Sequence, residues 1–85
     1  MGILKKIKDS LMLAYLKRDA VELKGRIEFH EEQLVLYIEK RKTAKWKRSI
    51  AELEGRIQFS QEQIPRDRQR LEQVLAKIAE IERGK

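Results

Sequence analysis

Three observations predict an all-α fold, an antiparallel helical hairpin with a coiled-coil-like seam. Apolar residues recur at heptad spacing, an eighteen-residue segment returns thirty positions on, and 41% hydrophobic residues sit beside 40% charged ones with only one Pro and four Gly. That balance suits long amphipathic helices, because a disordered tail would lack the apolar content to fold. The recurring segments are KRDAVELKGRIEFHEEQL (17–34) and KRSIAELEGRIQFSQEQI (47–64), identical at ten of eighteen positions. One helical unit, duplicated and folded back on its copy, accounts for the repeat.

The first helix is read over 10–42. Leu13, Ala20, Ile27 and Leu34 occupy one seam position, and Leu16, Leu23, His30 and Tyr37 the other. The second helix is read over 44–83, with Ile50, Ile57, Ile64, Leu71 and Ile78 at one position and Trp46, Leu53, Ser60, Asp67, Val74 and Ile81 at the other. Thirty residues is four heptads plus two, so the first register cannot continue into the second. A turn near Thr43 is expected, and it gives helices of about 45 to 60 Å at 1.5 Å per residue. A strand reading of Leu34 to Ile38 and of Arg26 to Phe29 is outweighed by the seven-residue period. Glu22 to Arg26 and Glu52 to Arg56 form i,i+4 pairs of favourable orientation in both copies.

Pro65 is the obstacle, since an interior proline removes a hydrogen bond and costs on the order of 3 kcal/mol. A break there would give a three-helix bundle. Leu71, Val74, Ile78 and Ile81 nevertheless keep the phase of Ile57 and Ile64, which favours a second helix kinked at Pro65. Residues 1–9 are read as a separate amphipathic arm, because Ile3, Leu4, Ile7 and Leu11 form a stripe out of phase with the seam and Asp9-Ser10 can cap a new helix.

An 85-residue chain makes one small domain with a modest core, so function is sought on surfaces and not in a catalytic pocket. No Ser-His-Asp arrangement, glycine-rich phosphate loop or nucleotide motif is present, and the sequence calls for no enzyme activity and no cofactor. The absence of Cys removes disulfides and thiolate metal sites and fits an intracellular, cytoplasmic or virion- or plasmid-associated location. The longest apolar run, Leu11 to Leu16, is far short of a membrane span, and the chain is read as soluble and mature. His30 has Glu28, Glu31 and Glu32 nearby, but on a helix these point in different directions, so His30 is read as a seam residue. Ser60 and Asp67 are likewise read as setting alignment and not as catalysts.

Two surface features carry the functional expectation. Val21, Gly25 and Phe29 stand four apart at outward heptad positions, and Ala51, Gly55 and Phe59 repeat them. Solvent-facing helices normally place charge there, and a helical glycine costs about 1 kcal/mol relative to alanine. The six residues are therefore read as a protein-interface stripe where another helix approaches closely, giving two similar sites related by an axis passing between residues 28 and 58. The partner would be the chain itself, as a homo-oligomer, or a larger protein.

The second feature follows from the net charge of +6: six basic residues lie between Lys40 and Arg48 (Lys40, Arg41, Lys42, Lys45, Lys47, Arg48), around Trp46. They would crown the hairpin tip and neutralise DNA or RNA phosphates while Trp46 stacks on a base. The competing reading has Trp46 closing the core from its seam position and the lysines solvating a turn. Arg66, Arg68 and Arg70 add a weaker basic patch.

The opening MGILKKIKDSL resembles the amphipathic N-terminus of the phage-shock/ESCRT-III-like membrane-remodelling family over about eleven residues. Those proteins continue as much longer helical hairpins, and the resemblance implies a peripheral membrane scaffold acting through its N-terminal arm. Lys6 stands where a myristoylation motif needs Ser or Thr. Three apolar side chains and a few lysines give only a weak, reversible hold on a bilayer.

Overall fold

A computed structural model describes residues 2–84 and consists of two helices, α1 (Gly2–Thr43) and α2 (Lys47–Arg83), folded into an antiparallel hairpin. No strand occurs among the described residues. The molecule is a rod 66 Å long and 14 Å across in its other two directions.

The seam closes where the heptads place it. Leu13, Ala20 and Leu23 of α1 pack with Val74 and Ile78 of α2, flanked by Leu16, Leu71 and Ile81. Ile27 and Ile64 are also buried, and Leu34, Tyr37, Ile50, Leu53 and Ile57 are half-buried toward the tip. The polar lapses belong to the seam as well: Ser60 is 2% exposed and Asp67 5%.

Three sequence expectations change. Trp46 does not close the core; it lies in the connection and is 76% exposed. Its backbone is extended at the N-cap of α2 (φ −103°, ψ 132°), so α2 starts one residue too late to bring the indole into the seam. No helix boundary occurs at Asp9-Ser10, because α1 runs unbroken from Gly2. Extending a helix costs less than nucleating a second one, and Asp and Ser cost only tenths of a kcal/mol in its interior. The stripe Ile3, Leu4, Ile7 and Leu11 is out of phase as expected, and all four side chains are exposed.

The i,i+4 pairs are also differently made. Arg26 reaches across to Asp67 at 3.3 Å and Arg56 lies over the Tyr37 ring at 5.7 Å, leaving Glu22 to Arg18 and Glu52 to Arg48. Arg26 and Arg56 each precede a seam isoleucine and so stand at the helix–helix boundary, where a partner across the seam is better shielded from water than one along the helix.

The connection begins where the sequence places it. Thr43 is the last residue of α1, its hydroxyl donates to the Lys40 carbonyl at 3.2 Å, and the Ala44 N–H donates to the Arg41 carbonyl at 3.3 Å. These tightened bonds end α1 without a glycine. Pro65 lies within α2, exposed on its outer side, so the helix is not divided. Seam residues Ile64, Asp67 and Leu71 hold that stretch against α1 from the opposite side. Replacing Pro65 with Ala restores the missing donor and should raise unfolding free energy by about 1–3 kcal/mol, measured by urea denaturation. A loss of stability would show that the proline geometry is needed for the seam to close.

Candidate functional site: the groove face

The two long edges of the hairpin differ. On one, residues just after a seam position meet across the helices as ion pairs, Lys17 with Glu82 and Glu31 with Arg68, and nearer the tip Arg41, at the heptad position that follows Leu34, meets Glu54. On the other edge stand residues just before a seam position, Arg26, Gln33 and Lys40 on α1 and Arg56, Gln63 and Arg70 on α2. None of these six is an acid, and the one ion pair that crosses the helices on this edge among the described residues is Arg26 with Asp67 of the seam itself. An open groove of about 360 Å³ lies along it, lined by Phe29, His30, Gln33, Tyr37, Glu52, Gly55, Arg56, Phe59 and Ser60.

Phe29 and Phe59 meet in this groove through His30. The imidazole stands 5.6 Å from the Phe29 ring and 6.1 Å from the Phe59 ring, edge-on to both. Both phenylalanines remain 56% exposed. The expectation of two separate sites, one per helix, is thus corrected: the two copies contribute to one face. The cause is the antiparallel fold, whose approximate two-fold axis runs perpendicular to the plane of the helices and carries each face onto itself.

The thirty-residue shift is expressed in contacts. It maps Arg26 onto Arg56 and Tyr37 onto Asp67, so the Arg26–Asp67 ion pair and the Arg56–Tyr37 cation-π contact occupy equivalent places. It also maps the Arg18–Glu22 pair onto Arg48–Glu52. The axis consequently passes near Glu31 and Gln61, three residues from the position expected between 28 and 58. Phe29 and Phe59 flank it.

The remaining stripe residues separate. Val21 is exposed, but the eight residues to Phe29 turn a helix by about 80° beyond two full turns, which swings Val21, and likewise Ala51, away from the groove. Gly55 lines the groove and Gly25 is its counterpart. A Cβ built at either glycine meets nothing within 4 Å. Neither glycine is therefore required by packing inside the hairpin, although each costs helix stability.

Sequence reasoning missed Gln33, Tyr37, Glu52 and Arg56 as groove residues. The available signal was the position of Gln33, Glu52 and Arg56 beside the seam and of Tyr37 within it, but only the handedness of the pairing tells which edge the groove follows. Asp67 is the other hidden feature: its Oδ1 accepts from Arg26, while its buried Oδ2 has no hydrogen-bond partner.

At the tip the expected basic residues are gathered but not equivalent. Arg41 is engaged by Glu54, Lys42 by Glu39 and Arg48 by Glu52, whereas Lys40, Lys45 and Lys47 have no ion-pair partner among the described residues. Lys40, Arg41 and Lys42 complete the last turn of α1, where cations complement the helix dipole. Lys47 and Arg48 open α2, where they oppose it, and no acid stands in that first turn. Dipole compensation thus explains the first trio and not the second pair.

Among the described residues no helix is long and apolar enough to cross a membrane, and no group of three His, Asp or Glu side chains could hold a metal ion. Comparison with protein-family models, with curated proteins and with solved structures finds no match to this chain.

The groove makes separate predictions for folding and for association. Gly25→Ala and Gly55→Ala should each stabilise the dilute hairpin by about 1 kcal/mol in urea unfolding, since a methyl group meets open space. Phe29→Ser with Phe59→Ser should leave helicity unchanged and cost less than about 1 kcal/mol per site, because Ser and Phe have similar helix propensity and both rings are largely in water. Collapse of the double serine variant would mean that the rings serve the fold.

Proposed function

We propose that this chain is a non-enzymatic interaction protein, an adaptor, accessory subunit or assembly component that associates with itself or docks on a larger protein through its groove face. The observation that carries the reading is the pairing of two exposed phenylalanines with two glycines that the hairpin itself does not use. Aromatic side chains exposed around a concave surface are typical anchors of protein interfaces. A glycine with open space above it lets a partner helix approach to backbone distance. The rigid seam beneath holds both rings at fixed separation, so little ordering cost remains for binding.

The test is a photo-crosslinking amino acid placed at Gln33, inside the groove, in cells that make the protein. Adducts should form there, fail to form from Glu72 on the outer side of α2, and disappear when Phe29→Ser and Phe59→Ser are added. Equal labelling from both positions, or adducts indifferent to the serine changes, would remove the groove face from the function.

A second reading, contact with nucleic acid at the tip, is favoured by one specific observation: Trp46 is 76% exposed between Lys45 and Lys47. An exposed indole among unpaired cations offers a stacking platform with phosphate neutralisation, and its binding would be salt-sensitive and only slightly sequence-specific. Trp46→Ala is expected to weaken single-stranded DNA or RNA binding by about 1–3 kcal/mol. Lys45→Glu with Lys47→Glu should abolish binding, with helicity retained by circular dichroism. Unchanged affinity in both variants would leave the tip as a solvated turn.

A further inference from the structure

The charges around the groove indicate what covers it, on the reading that this face is the docking surface. Glu22 lies one turn before Arg26, and Arg70 lies three residues beyond Asp67, the partner of Arg26. These two opposite charges therefore stand at the same height on the two helices, toward the open end. Lys40 lies three residues beyond Tyr37, and Glu52 one turn before Arg56, the partner of Tyr37. They stand level with each other toward the tip. All four side chains are exposed.

The groove face thus carries negative and positive charge at one end on α1 and α2, and positive and negative charge at the other. Like signs occupy the diagonals, as the approximate two-fold axis requires. A rectangle of charges with this pattern matches its own copy. Turning a second hairpin over, face to face, about an axis along the helices exchanges left with right and sets each acid over a base. Turning it about the axis across the helices exchanges the two ends and does the same. A random arrangement of four charges would not be self-complementary under both operations.

Size favours the turn about the long axis: it overlaps the whole face, 66 Å by 14 Å or roughly 900 Å², against about 800 Å² per partner in a stable protein interface, whereas exchanging the ends about an axis near Glu31 overlaps only about 40 Å of the rod. At the centre of the face, the register that sets Arg26 level with Asp67 puts Phe29 level with Ile64 and Phe59 level with Leu34, so either operation lays the rings of one copy over the Gln33 and Gln63 turns of the other and gathers four phenylalanines about one centre. Lys40 and Arg70, which have no ion-pair partner among the described residues, would find Glu22 and Glu52 of the second copy.

We propose that the occupant of the groove face is a second copy of this chain, packed face to face about a two-fold axis into a four-helix assembly whose rim is fixed by Glu22 and Glu52 against Lys40 and Arg70. The experiment is a charge exchange read by sedimentation equilibrium of the full chain. Wild type should sediment as a dimer at high micromolar concentration. Glu22→Lys with Glu52→Lys gives an all-basic rim, and Lys40→Glu with Arg70→Glu an all-acidic one; each variant alone should be monomeric and normally helical.

An equimolar mixture of the two variants should recover the dimer, one copy of each. Recovery cannot come from a foreign partner or from misfolding of either variant. A monomeric wild type, a variant that dimerises like wild type, or a mixture that stays monomeric would each overturn the proposal. Crosslinks from Gln33 to a protein of different mass, together with a monomeric wild type, would keep the docking face and exclude the second copy as its occupant.

Discussion

The antiparallel register of one apolar seam governs every other feature of this molecule. Leu13, Ala20 and Leu23 lock against Val74 and Ile78, and once they do, the alignment of the rest of the rod is determined by the helical rise. Residues following a seam position then meet their counterparts on one edge, and residues preceding it meet on the other. The first set contains acids and bases that pair across the helices; in the second, Arg26, Gln33, Lys40, Arg56, Gln63 and Arg70 do not pair with one another, and only Arg26 crosses, to Asp67 in the seam. The open groove results from that contrast.

The seam is not optimised for stability. Ser60 and Asp67 occupy buried seam positions, and Asp67 keeps one carboxylate oxygen unpartnered. Removing the partner of a buried carboxylate costs about 3–5 kcal/mol where the pair is fully enclosed, and less where the arginine is half in water as here. Sliding the helices by a heptad would bring Asp19 or Gln33 beside Asp67 in place of Arg26, and so lose the ion pair. The polar lapses therefore disfavour other registers, and they keep Phe29, His30 and Phe59 at one height. Pro65 lies on the outer side of α2, where its missing donor faces water and does not disturb that alignment.

The tip obeys a different constraint. Its connection is short and glycine-free, and an extended Trp46 backbone accompanies the reversal of direction between Thr43 and Lys47. Extension turns the indole outward, so the largest side chain of the chain is among the most exposed. Charge at the two helix ends is asymmetric with respect to their dipoles, which distinguishes a trio of cations that structure explains from a pair that it does not.

Much of the fold was legible in the residues alone. The heptad positions of α1 and α2 identify nearly every buried side chain, the two-residue phase mismatch demands a reversal near Thr43, and the continued phase beyond Pro65 argues against a third helix. Period and phase are local properties, readable because an α-helix repeats every 3.6 residues whatever it packs against. The outward positions of Phe29, Phe59, Gly25 and Gly55 were legible too, since aromatic and glycine residues there violate the usual surface pattern. Which flanks come together was not. Assigning Phe29 and Phe59 to separate sites, Glu22 to Arg26, or Trp46 to the core each required knowing how one helix is rotated and aligned against the other. That geometry arises from the whole seam at once, from side chains as far apart in the chain as Arg26 and Asp67, and from a connection whose few residues determine where α2 starts. Only the tertiary structure makes one groove of two repeats and leaves its glycines uncovered.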